Sequence, residues 1–110
     1  MTSAELLERM TFLAYGGAVK SSQRYPASKG ILYPLLGIES ELGKVCKELQ
    51  RDSDSLGNMC PQRKARIAKE LGDVLWYLVA LMLDLGLNPA EVALTNVKTI
   101  LAQEEKAESV

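Results

Sequence analysis

Apolar residues recur every three or four positions along most of the chain, and no stretch alternates with period two for long enough to suggest a strand. Leu6, Leu7, Met10, Leu13 and Ala14 form the first such stripe, which fades after Lys20. Thr2, with Glu5 three residues on, has the form of a capping box, so a first helix is expected from there. Ser21 to Lys29 holds Pro26 and several small polar residues and suits a connection. A second helix is expected from about Gly30 to Gln50, with Pro34 in its first turn, where a missing N–H costs nothing. Leu35, Ile38, Leu42, Val45, Cys46 and Leu49 would be its apolar face, and Arg51 to Asn58 reads as a polar loop. A third helix opens with Pro61 and runs to about Leu85, with Gly86 as the stop. Asn88-Pro89-Ala90-Glu91 supplies an N-cap, a first-position proline and a capping-box glutamate for a fourth helix. That helix is expected to end near Gln103, leaving Glu104 to Val110 as an acidic frayed tail. The pattern predicts an all-α, four-helix fold in one domain, residues 1–110, with an antiparallel pair of long helices at its centre.

The third helix carries a further message. From Val74 to Leu83 it is apolar on every face, over ten residues flanked by Asp73 and Asp84. A membrane span needs about twenty, so the run predicts a buried helix segment and no membrane association. A helix apolar all round must be covered all round, which three short partners in one chain do not easily manage. A homodimer or homotetramer is therefore expected, the alternative being that the first and fourth helices wrap it completely.

Charge and composition narrow the function classes. Thirteen basic and fourteen acidic side chains leave a net charge of −1, without the basic excess with which a nucleic-acid binder neutralises phosphates. Arg63, Lys64, Arg66 and Lys69 do cluster, and a solvated helix start accounts for them. Histidine is absent, which excludes Ser-His-Asp triads, Cys-His pairs and imidazole zinc sites. Cys46 and Cys60 are too few for a disulfide framework and lack CxxC spacing, so reduced thiols in a cytoplasmic protein are expected, with Cys46 in the core. The N-terminal residues show no basic segment followed by an apolar one, so no secretory signal is visible.

Carboxylates are what remains for chemistry. Glu70 and Asp73 stand three apart, so both lie on one helix face, about 5–6 Å apart at Cβ, and can grip one divalent cation. Tyr77 follows one turn on, with a hydroxyl suited to a phosphate oxygen, and Trp76 beside it can pack in the core or stack on a base. The second helix offers Glu41, with Lys44 and Glu48 three and seven residues later. Gly43 and Gly72 sit beside these positions at about 1 kcal/mol each against alanine, which calls for close helix approach or room for a ligand. Judged from spacing alone, plain surface ion pairs, Glu41 with Lys44 and Glu70 with Arg66, are the commoner reading of such carboxylates.

Two segments carry a family likeness. Tyr33-Pro34-Leu35-Leu36-Gly37-Ile38-Glu39-Ser40-Glu41-Leu42-Gly43 and Lys69-Glu70-Leu71-Gly72-Asp73-Val74-Leu75-Trp76-Tyr77-Leu78 closely resemble the MazG-type nucleotide pyrophosphohydrolases. These belong to the all-α NTP pyrophosphatase superfamily, with the dimeric dUTPases and dCTPases. The resemblance extends from Arg24-Tyr25-Pro26 to Leu87-Asn88-Pro89-Ala90-Glu91-Val92. It implies hydrolysis of a (deoxy)nucleoside triphosphate to monophosphate and pyrophosphate with Mg²⁺ or Mn²⁺, the metal held by carboxylates in the pattern EExxE followed by ExxD. Glu41, Glu70 and Asp73 match that pattern and are the implied catalytic and metal-binding residues. Asn96 matches an asparagine common on the last helix, and the usual lysine three residues later is displaced, Thr99 standing in its place beside Lys98. Lys44, Tyr77, Asn96 and Lys98 are the implied substrate contacts.

Ser40 and Lys44 depart from EExxE, and Lys44 puts an ammonium where a metal-binding oxygen belongs. Three outcomes are open. Lys44 contacts the phosphates in place of a second cation, or it swings outward and Glu48 completes the site. In the third, the chain is a catalytically silent helical oligomer that binds nucleotide or a partner.

Overall fold

A computed structural model describes residues 1–51 and 59–108, and all regular elements among them are helical. They are α1 (Ser3–Arg9), α2 (Phe12–Ser22), a 3-10 turn (Ala27–Lys29), α3 (Leu32–Arg51), α4 (Pro61–Asp84) and α5 (Pro89–Glu108). Most of the expected polar loop from Arg51 to Asn58, and the last two residues of the expected tail, lie outside the described residues.

The expected first helix is two helices. The Thr2–Glu5 capping box forms, but Met10 leaves the helix in an extended conformation. The Thr11 hydroxyl then accepts from Ala14 N–H at 3.0 Å and caps a new start. A threonine side chain that competes for backbone donors ends one helix and opens the next, although the apolar stripe runs through it. α5 continues to Glu108, five residues past the expected end, over Glu104, Glu105, Lys106 and Ala107, all good helix formers. α3 opens at Leu32, two residues later than expected, because Ile31 holds the left-handed conformation at φ 68°. A β-branched residue there costs about 1–3 kcal/mol, so its surroundings must hold it in place.

α3 and α4 form the antiparallel pair. The contacts run in opposite senses along the two helices: Arg63 binds Glu48 near the connection, Tyr77 packs on Gly37, and Asp84 binds the Ile31 N–H at the far end. α2 and α5 pack against α4. The core is small, with Val19, Val79 and Ala80 fully buried and Tyr15, Trp76 and Leu83 packed on them. Cys46 is exposed, contrary to expectation, because α3 turns that face outward.

One chain does not cover α4. Leu71, Leu75 and Leu78 form a stripe at helical spacing and remain 49%, 39% and 39% exposed. The accessible surface is 8403 Å², whereas a monomer of this mass ordinarily exposes about 6,000 Å². The radius of gyration is 17.1 Å, against about 13 Å for a compact domain of this length. Among the described residues, no single helix is long and apolar enough to cross a membrane.

Candidate functional site

Where α3 and α4 lie side by side, Glu41, Asp73, Trp76 and Tyr77 line a cavity of about 340 Å³. Helix geometry brings the α4 members together, since Asp73, Trp76 and Tyr77 are separated by three and four residues and share a face. Glu41 comes from the facing turn of α3, so the sequence-predicted pair Glu41 and Asp73 meets at one cavity.

Both carboxylates already have cationic neighbours. Lys44 Nζ lies 3.1 Å from Glu41 Oε1, and Lys69 Nζ lies 3.6 Å from Asp73 Oδ2. Glu41 is 15% exposed and Lys44 57%, so the ammonium end is bathed in water and the pair is readily exchanged. Glu70 is half-buried and lies outside the cavity lining, and its Oε2 is buried with no hydrogen-bond partner. A buried carboxylate oxygen without a donor is costly unless a cation or proton meets it. Of the two surface ion pairs that spacing allowed, Glu41–Lys44 is present and Glu70–Arg66 is not the arrangement found, since Arg66 binds Glu48 at 3.3 Å.

Glu48 is likewise not at the cavity. Its backbone carbonyl accepts from Arg63, and its carboxylate is held by Arg63 Nε at 3.4 Å as well as by Arg66. The idea that Glu48 completes the site while Lys44 swings outward is thereby corrected: Glu48 clamps α3 to α4 near their connection. Arg63 is buried, so the basic cluster at the start of α4 is not the purely solvated face expected of it. Asn96 and Lys98 are exposed on α5, and neither lines the cavity.

Trp76 and Tyr77, both singled out in the sequence, form the aromatic wall, and Tyr33 and Tyr25, which the pattern did not single out, stand behind them. Tyr77 meets Trp76 edge-on at 5.3 Å and Tyr33 at 5.9 Å, and Tyr33 stacks on Tyr25 at 4.7 Å. Trp76 Nε1 donates to Ser22 Oγ at 2.9 Å, so the indole is anchored to the end of α2 while it lines the cavity. Burial pushes the Tyr77 hydroxyl above its usual range, helped by its hydrogen bond with Tyr33 and by the charges of Glu41 and Asp73. Tyr77 is thus a hydrogen-bond donor throughout the neutral range.

Close helix approach occurs at Gly37 and not at Gly43 or Gly72, where the other alternative, room beside the backbone, is the one left. A Cβ at Gly37 would stand 2.4 Å from Tyr77 Cδ1, whereas beside Gly43 and Gly72 the space is open. The Tyr77 ring therefore lies directly on the α3 backbone. Gly37→Ala is expected to drive the ring out, lower stability by about 1–3 kcal/mol and change the near-ultraviolet circular dichroism. An unchanged spectrum and unchanged denaturation midpoint would show that Tyr77 is not seated there.

The donor set is hard oxygen, which suits Mg²⁺ or Mn²⁺, and the orphaned Glu70 Oε2 is the kind of atom a cation satisfies. Among the described residues, however, no three carboxylate or thiol groups stand together as a preformed metal cluster. Comparison of the chain with protein-family models, with curated proteins and with solved structures finds no match in any of the three.

Proposed function

We propose that the chain hydrolyses a (deoxy)nucleoside triphosphate to the monophosphate and pyrophosphate with Mg²⁺ or Mn²⁺, as a MazG-like pyrophosphohydrolase. One observation carries the reading: Glu41 and Asp73, from two different helices, face one cavity together with an indole and a phenol. Glu41 and Asp73 would hold the cation, and Glu70, one turn from Asp73, would join them once its carboxylate turns toward the cavity. When bound, it neutralises the phosphates and makes water a better nucleophile toward the α-phosphorus. Tyr77 donates a hydrogen bond to a phosphate oxygen, and the Lys44 ammonium moves from Glu41 to the phosphates. A carboxylate of the set accepts the proton of the attacking water, and pyrophosphate leaves. The Trp76 face offers a stacking surface for the base. Asn96 and Lys98 belong to the reading only where another chain or a shift of α5 brings them to the cavity.

The test is a screen of common and damaged triphosphates with Mg²⁺ or Mn²⁺, measuring pyrophosphate. Release of pyrophosphate that stops in excess chelator is the expected result. The silent-relative reading is favoured by the ion pairs Lys44–Glu41 and Lys69–Asp73, which already neutralise both cavity carboxylates. Nucleotide binding without release of pyrophosphate from any substrate would establish it instead.

Lys44→Glu separates the roles of that lysine. Removing an ammonium 3.1 Å from Glu41 is expected to tighten Mn²⁺ binding without nucleotide about tenfold, equivalent to about 1.4 kcal/mol. It is also expected to weaken triphosphate binding, since a phosphate contact is lost. Calorimetric titration reads both. Turnover that rises from a low baseline would instead mark Lys44 as a disabling substitution.

A further inference from the structure

The geometry points to Asp84, at the far end of α4, as a positioning residue for a cavity it does not touch. Asp84 lies eleven residues beyond Asp73, three helical turns or about 16 Å along the axis. Its Oδ2 accepts from the Tyr25 hydroxyl at 2.7 Å and from Ile31 N–H at 2.9 Å, and its Oδ1 accepts from Gln23 Nε2 at 3.2 Å. A carboxylate is a poor choice for the last turn of a helix, where the macrodipole already presents negative charge, and no basic residue accompanies it there. Three donors, all from the connection between α2 and α3, account for its being there.

Two lines of contact run from Asp84 to the cavity. The first passes through side chains: Asp84 holds the Tyr25 hydroxyl, Tyr25 stacks on Tyr33, and Tyr33 meets Tyr77 on the cavity wall. The second passes through backbone. Asp84 holds Ile31 in its left-handed conformation, and the Ile31 carbonyl accepts from Leu35 N–H at 3.1 Å in the first turn of α3. That helix carries Gly37, against which Tyr77 lies, and Glu41. Gly30 leaves little room at the latch, since a Cβ there would stand 3.1 Å from the Ala27 carbonyl oxygen and 3.7 Å from Asp84 Oδ2. Burial and the Asp84 hydrogen bond push the Tyr25 hydroxyl up to about 12, so it remains a donor at any working pH. Asp84 thus sets the place of Tyr77 from both sides.

For activity the inference rests on the proposed hydrolysis, but the wall itself can be read without it. Trp76 is the sole tryptophan and packs edge-on against Tyr77. Tyr25→Phe deletes one hydroxyl and nothing else; Asp84→Asn removes the charge. Each is expected to raise acrylamide quenching of Trp76 emission about twofold with helix content unchanged. With the best triphosphate of the screen, each should lower kcat about tenfold with KM within about twofold, and the double variant should be no worse than Asp84→Asn alone, because Tyr25 acts only through Asp84. Quenching and kcat equal to the parent's in both single variants would overturn the inference, reducing Asp84 to a local clasp. Additive losses in the double variant would overturn it too, since the two residues would then act separately. Should Asp84→Asn fail to fold, Tyr25→Phe decides alone. Raised quenching in the variants, with a parent that hydrolyses nothing, would retain the positioning role and sink the proposed activity.

Discussion

Asp73→Asn is expected to lower metal-dependent pyrophosphate release about a hundredfold or more, the usual scale for losing one charge contact made in the transition state. The substitution is nearly isosteric. It removes a full negative charge from the wall shared with Glu41, Trp76 and Tyr77 and leaves one weak amide oxygen for the cation. Stability should scarcely move, because the partner of Asp73 is Lys69, which is 81% exposed and 3.6 Å away, and such surface pairs contribute little. Far-ultraviolet circular dichroism should therefore match the parent while calorimetry shows weakened Mn²⁺ binding. Full turnover in this variant would remove Asp73 from the mechanism and overturn the metal site as proposed.

The second large effect concerns assembly. The chain exposes about 2,400 Å² beyond the expectation for its mass, and stable protein interfaces bury about 1,200–2,000 Å² in total, with obligate ones larger. Large apolar side chains are among the exposed residues. Leu71, Leu75 and Leu78 line α4, Leu35 and Leu42 stand two turns apart on α3, and Leu94, Val97, Ile100 and Leu101 run along α5. A second copy of the chain is the occupant we propose, giving a homodimer or homotetramer. Sedimentation at micromolar concentration should report at least twice the 12.1 kDa of one chain. The double variant Leu75→Glu, Leu78→Glu places charges in the α4 stripe and should shift the protein to a destabilised monomer. A stable parent monomer of 12.1 kDa would show that water covers these leucines.

Much of the helix plan is legible in short range. The Thr2–Glu5 capping box, Pro34 inside the first turn of α3, Pro61 at the start of α4 and Gly86 at φ 74° behind its end each depend on a few neighbouring residues. The shared face of Glu70 and Asp73 is equally local, since helical pitch alone decides it. Even here the apolar stripe misled at Thr11, where one hydroxyl broke a helix that periodicity would have continued.

What the chain could not announce is whatever depends on α3 lying antiparallel to α4. Gly37 was one glycine among several in the sequence, and it became the seat of Tyr77 only when residues forty apart were brought together. Glu48 had the right spacing to serve the cavity, yet two arginines from α4 took its carboxylate. Asp84 read as the polar end of an apolar run, and tertiary structure supplied its three donors from across the helix pair. The physical reason is the range of the forces. Capping, pitch and proline stereochemistry act within one helical turn and are written in adjacent letters. A side chain's partner is settled by which helix faces pack, and that is decided by burial over the whole chain.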